Sequence, residues 1–204
     1  MARKYDRQDT LYKKAKEQGF RSRAAYKLEE LDKKYQIFSP GQRVLDLGAW
    51  PGGWLQVALK RVGTSGKVAA IDLTALEGFE QSNVELLCGD VADDQILEQA
   101  GEFCGGRIDV VMSDMSPKLT GIPEADRMGV LSCAEKAFYV AQKLLKDEGT
   151  LIIKIFKGSE IEEFVKRIRP SFNKVARTTL KASRGSSSES YMVGLGFKRS
   201  EAQD

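Results

Sequence analysis

The run Asp46-Leu-Gly48-Ala-Trp-Pro51-Gly52-Gly53-Trp54 sets an acid, three glycines and a proline directly behind an apolar stretch. Single acids recur behind the next two apolar stretches, Asp72 and Asp90. Glycines let a backbone pass close to a ligand, and Pro51 helps set the path of the loop. An acid after a second strand is placed to accept hydrogen bonds from ribose hydroxyls, and one after a third can take an adenine amino group. An isolated aspartate at such a place is more often a helix cap or turn residue. Three at successive strand ends around one glycine-rich turn point instead to a nucleoside pocket over residues 43–90. The spacing is neither GxGxxG nor GxxxxGK[ST], so an NAD site and a P-loop lose their specific support. An acidic, phosphate-averse lining favours a cation such as the sulfonium of S-adenosylmethionine over a pyrophosphate.

These acids need a sheet to carry them. Apolar runs at Arg43–Gly48, Val68–Leu73, Val84–Leu87, Ile108–Met112 and Leu151–Phe156 read as short buried strands. Helical patterns lie between them: Trp54–Arg61, a long one around Val130–Leu145 ending at Gly149, and another near Glu160–Arg169. Such alternation predicts an α/β, Rossmann-like fold with a mostly parallel sheet and helices on both faces. Lys174–Leu180 and Tyr191–Phe197 have no helix between them and predict an antiparallel closing pair around the Ser183–Ser188 loop. Residues 1–36 read as a basic helical appendage to a core over 37–204, the whole being one domain. Lys154 interrupts an otherwise buried strand, where a charge requires a partner or a function.

Composition narrows the chemistry. The chain of 204 residues has no histidine, which removes the usual general base and most zinc and copper sites. Proton transfer therefore falls to Lys, Asp, Glu or Tyr. Cys88, Cys104 and Cys133 are widely spaced and suggest neither a disulfide framework nor a metal site. No window approaches the length of apolar chain that spans a bilayer, and a reducing cytoplasm is expected. The net charge is only +3, but residues 1–27 hold +6 and residues 166–184 hold +7, leaving −10 elsewhere. Two segregated cationic blocks predict a surface for a polyanion, with Arg3, Lys4, Lys13, Lys14, Arg21, Arg23, Lys166, Arg167 and Arg184 along it.

At Ser113-Asp114-Met115-Ser116-Pro117 the sequence resembles a known family. Together with Asp46–Trp54, Ser22-Arg-Ala-Ala-Tyr-Lys27-Leu, Ile153-Lys154-Ile-Phe-Lys-Gly158 and Glu189, it is similar to the FtsJ (RrmJ) family of RNA ribose 2′-O-methyltransferases. The motifs follow the family's order over nearly the whole chain. The resemblance implies a class I S-adenosylmethionine-dependent methyltransferase fold and a catalytic set of Lys27, Asp114, Lys154 and Glu189. It implies cofactor contacts at Gly52, Trp54, Asp72, Asp90 and Asp114, with no metal ion. A neutral Lys154 is the expected general base, oriented by the two carboxylates, with Lys27 and burial opposing its charge.

The resemblance, strongest for the bacterial ribosomal branch, further implies a uridine ribose of 23S ribosomal RNA in the assembled large subunit, modified by a monomer. A transfer RNA ribose methyltransferase and a non-catalytic ribosome-assembly factor remain alternatives. Trp50 departs from the pattern, since the family commonly has a small residue there. It either covers the cofactor or packs under the entrance loop.

Overall fold

The computed structural model describes residues 10–118, 120–183 and 189–199. Seven strands form one sheet: β1 (Arg43–Leu47), β2 (Lys67–Asp72), β3 (Val84–Cys88), β4 (Ile108–Ser113), β5 (Leu145–Phe156), β6 (Phe172–Thr178) and β7 (Glu189–Phe197). Their order across the sheet is β3-β2-β1-β4-β5-β7-β6. β1 to β5 are mutually parallel, and β7 runs antiparallel to both its neighbours. Among the described residues six α-helices accompany them: α1 (Thr10–Glu17), α2 (Ala25–Tyr35), α3 (Gly53–Val62), α4 (Asp94–Cys104), α5 (Pro123–Leu144) and α6 (Ser159–Ile168). The expected mostly parallel α/β sheet with an antiparallel C-terminal strand is what forms.

Alternation along the strands divides the core in two. Leu45, Leu47, Ile71, Val111 and Ile153 face α4, α5 and α6, whereas Val44, Val68, Val110, Ile152 and Val193 face α2 and α3. α6 buries Ile161, Phe164, Val165 and Ile168, an i, i+3, i+4, i+7 stripe that seats one side of the helix. Asp93 caps α4 by accepting from the Gln95 amide at 2.9 Å, and Gly105 ends that helix in the left-handed region at φ 77°. α2 is part of the packing: Ala25, Leu28 and Leu31 are fully buried in the same cluster as Trp54, Leu55 and Ala58 of α3.

Two boundaries differ from the sequence pattern. β5 begins at Leu145, where the long helical pattern was expected to run on to Gly149. Leu145 pairs with Ile108 and Thr150 with Val110, so the residues between bulge out, with Glu148 in the left-handed region at φ 59°. Leu73, expected to close the second strand, lies beyond β2 and is exposed. Among the described residues no helix is long and apolar enough to cross a membrane.

Because α2 sits on the core through a few large side chains, truncating one is costly. Leu28→Ala should lower unfolding free energy by about 2–5 kcal/mol, measured as a fall in the urea midpoint at unchanged slope.

Candidate active site

The strand order reverses between β1 and β4, so a crevice opens at the carboxyl ends of these strands. There the structure has a cavity of about 560 Å³ whose walls include Gly48, Asp72, Asp90, Asp114, Met115 and Cys133. Gly48 turns the chain out of β1 at φ 72°, and a Cβ there would meet Met115 Cγ at 2.5 Å. Only glycine serves both the conformation and the approach. Asp72 is held by two amides, Trp50 N–H donating to Oδ2 at 2.9 Å and Thr74 N–H to Oδ1 at 2.8 Å. Each oxygen keeps a lone pair for an incoming hydroxyl. Asp90 accepts from Lys136 Nζ through both oxygens, at 2.9 and 2.8 Å. That contact and the Ala92 amide hold its carboxyl below the usual range.

Gly52 and Trp54 are not on the cavity wall. Gly52 has φ 105° and lies where a Cβ would meet the Phe79 ring at 2.8 Å, so it admits close packing of Phe79. The Trp54 ring is buried, donating its indole N–H to the Ala24 carbonyl at 2.9 Å and standing 5.8 Å from the Tyr191 ring. It ties α3 to the turn before α2. Asp46 lies beneath the same loop, 1% exposed, and neither carboxylate oxygen has a hydrogen-bond partner of normal geometry. Burial, then the charges of Asp114 and Asp72, push its carboxyl well above the ordinary aspartate range, against a weaker opposing pull from the Leu55 amide.

Lys27, Asp114, Lys154 and Glu189 converge at the same end of the sheet, on the α2 and α3 side. Asp114 follows the last residue of β4, Lys154 lies in β5 two residues from its end, and Glu189 begins β7. Antiparallel register sets Glu189 opposite Phe156 and Tyr191 opposite Lys154. Alternation then aims residues 154, 189 and 191 at one face, and the first turn of α2 lowers Lys27 onto it. Lys154 Nζ donates to the Asp114 carbonyl oxygen and lies 3.2 Å from its Oδ1. Lys27 Nζ lies 2.7 Å from Glu189 Oε1. The two carboxylates therefore serve different lysines, whereas the sequence reading had both orienting Lys154.

Tyr191, which the sequence reading missed, joins the two pairs. Its hydroxyl donates to Asp114 Oδ1 at 2.7 Å and faces Glu189 Oε1 at 3.3 Å. Ser183 Oγ also donates to Glu189 Oε1, at 2.8 Å. Burial, then the neighbouring Asp114 and Glu189 charges, push the Tyr191 hydroxyl well above its usual range, so it remains a donor. Burial pushes the Glu189 carboxyl up, but the hydrogen bond and charge of Lys27 outweigh it, leaving the group below its usual range and ionised. The signal that finds Tyr191 is strand register, which local pattern does not contain. Lys136 was missed too, since its partner Asp90 lies 46 residues away.

The fold divides the second cationic block. Lys166 and Arg167 are in the last turn of α6, whose first turn follows the carboxyl end of β5. Roughly 10 Å of helix separates them from that end, and Arg167 is paired with Glu135 at 2.7 Å. They do not flank the site, so the expected cationic track loses these two members. Lys13, Lys14 and Arg21 are exposed on the N-terminal side, while Arg3, Lys4 and Arg184 fall outside the described residues.

The FtsJ-like methyltransferase family model matches residues 20–197, which takes in both the cavity and the lysine–carboxylate cluster. The chain belongs to that family. Among relatives of this FtsJ-like methyltransferase is the ribosomal RNA large subunit methyltransferase E of Methanothermobacter thermautotrophicus, 41% identical over 195 residues, covering 96% of this chain and 92% of the relative. The protein of the same name from Dechloromonas aromatica is 42% identical over 187 residues, covering 91% and 90%. A solved structure described as a ribosomal RNA methyltransferase from Plasmodium falciparum superposes with a TM-score of 0.78 at 27% identity, over 89% of this chain and all of the other. An S-adenosylmethionine-dependent O-methyltransferase from Thermotoga maritima shares the fold, with a TM-score of 0.57 at 13% identity over 86% and 66%. The fold is thus the Rossmann-like one of class I methyltransferases, as the motifs implied.

The FtsJ-like methyltransferase buries Asp46 with no hydrogen bond of normal geometry among the described residues, and this has a pH signature. A carboxyl whose folded pKa is raised contributes its full stability below the unfolded value and loses it as pH climbs through the folded one. From about pH 4 upward, wild-type stability should fall relative to Asp46→Asn. Urea midpoints of the two proteins across pH measure this, and parallel curves would contradict it.

Proposed function

We propose that this methyltransferase moves the methyl group of S-adenosylmethionine to the ribose 2′-oxygen of a uridine in 23S ribosomal RNA within the large subunit. The observation that carries the reading is the joined set Lys154, Asp114, Tyr191, Glu189 and Lys27, which meets the acid-lined cavity at Asp114. The cavity residues fit the cofactor: Asp72 for ribose hydroxyls, Asp90 for an adenine amino group, and the acids Asp72 and Asp114 for a cation. A site for a pyrophosphate would carry the opposite charge. When bound, the cofactor supplies an electrophilic methyl group.

The protein's own groups do the rest. Lys154 is 8% exposed and its Nζ is located by the Asp114 carbonyl and carboxylate. In its neutral form it takes the proton of the 2′-hydroxyl as that oxygen accepts the methyl group. Glu189 is held ionised against Lys27 and Tyr191 stays protonated, so neither competes as the base. Much of the acceleration comes from holding the hydroxyl in line with the methyl carbon. The names of the relatives support ribosomal RNA of the large subunit as the substrate and, with it, work in the cytoplasm. Lys13 and Lys14 supply phosphate contacts, which confer salt-dependent affinity and little sequence information.

Methyl-tritiated S-adenosylmethionine should label large subunits from a strain lacking this protein, at one alkali-resistant uridine, and label free ribosomal RNA less well. Labelling of transfer RNA instead would redirect the substrate assignment. Lys154→Ala should slow transfer by about 10²–10⁴-fold with RNA affinity retained. Undiminished turnover by that variant would remove the base assignment. Tyr191→Phe should lower the rate through misplacement of Asp114 and Glu189 while leaving cofactor affinity near wild type, as a comparison of transfer rate and equilibrium binding will show.

A further inference from the structure

The wall of the cofactor cavity includes one side chain that the strand-end acids do not explain. Trp50 is 58% exposed, so it is not packed beneath the entrance loop. Its backbone is tied to the site, since its N–H donates to Asp72 Oδ2. Trp50 lines the cavity with Asp72 and Leu73, which is 76% exposed, and also borders a neighbouring hollow with Arg21, Pro51 and Glu77. An indole held open to water at a pocket mouth gives up the stabilisation that burial would bring, about 25 cal/mol per Å². A ligand in the pocket recovers it.

We propose that Trp50 is a cofactor-binding residue of this chain, its indole covering the ribose that Asp72 engages. The inference rests on the methyl-donor reading of the cavity. Asp72 fixes where ribose hydroxyls must lie, and the turn that carries the indole is bonded to that same carboxylate. The ribose therefore comes within reach of the ring. RNA is the other candidate occupant, but the cation beside Trp50 is committed elsewhere. Arg21 lies 4.1 Å over the Phe79 ring and donates to the carbonyls of Gly78 at 2.9 Å and Pro51 at 3.4 Å. It is thus turned to the protein backbone, where it supports the loop, and a residue on the wall of the acid-lined cavity suits an uncharged sugar better than a phosphodiester.

Trp50 and Trp54 are the chain's two tryptophans and both emit, so the difference between wild type and Trp50→Phe isolates the exposed one. S-adenosylhomocysteine, which binds without transferring a methyl group, is titrated into the full-length protein without RNA. Wild-type emission should change with saturation, and calorimetry should give Trp50→Ala an affinity lower by about 3–10-fold. Trp50→Phe should keep most of the affinity but lose the fluorescence response. Adenosine alone should show the same ratio between wild type and Trp50→Ala, because the contact is to the sugar. Equal affinities of wild type and Trp50→Ala for S-adenosylhomocysteine would overturn the proposal. So would an emission change that needs RNA. Failure of the wild-type protein to bind S-adenosylhomocysteine at millimolar concentration would instead overturn the methyl-donor reading on which it rests.

Discussion

Two lysines and two carboxylates taken together from water would be ruinous as isolated ions, and the catalytic end of this molecule is built around making them tolerable. Each lysine has its own carboxylate, and a buried phenol donates to Asp114 and stands beside Glu189. Removing any one group would leave another charge without compensation in a region of low dielectric. That constraint reaches into the fold. The four charges come from α2, the end of β4, the interior of β5 and the start of β7, so helix and strands must be held in mutual register for the pairing to exist. Trp54, bonded to the turn before α2 and stacked near Tyr191, is one of the groups that hold them.

The sheet divides its labour at Asp114. On one side, β1, β2 and β3 present Gly48, Asp72 and Asp90 to the cavity; on the other, β5 and β7 present Lys154, Tyr191 and Glu189. Asp114 belongs to both groups, as a cavity wall and as the partner of Lys154 and Tyr191. Absence of histidine is consistent with this arrangement, in which lysines, carboxylates and a phenol make up the whole cluster. The raised Tyr191 and lowered Glu189 leave little choice about which group moves a proton.

What could be read from sequence follows physical range. Continuous apolar runs mark β1, β2, β4 and β5, because strands covered on both faces need no polar alternation. Acids at their ends are visible for the same reason, and Lys154 is conspicuous as a charge within such a run. Tyr191 was hidden, since an aromatic in an apolar strand is ordinary until pairing sets it opposite Lys154. Lys136 was hidden by 46 residues of intervening chain. The cationic block over 166–184 looked continuous because linear charge counts take no account of a helix that carries Lys166 and Arg167 away from the site. Residues 145–149 misled by composition, since a helical pattern continued into a bulged strand.

The position of β7 has a consequence for how activity arises during folding. It follows β6 in the chain but lies between β5 and β6 in the sheet, so β6 has no neighbour to pair with until β7 has threaded into place. Strands β1 to β5 can assemble beforehand, and they already carry the nucleoside pocket. Only the closing strand delivers Tyr191 and Glu189. Tyr191 and Glu189 thus ride on the strand that also holds β6 to the sheet, and loosening it would part both from Asp114 and Lys27 while the cavity wall on β1, β2 and β3 stayed in place.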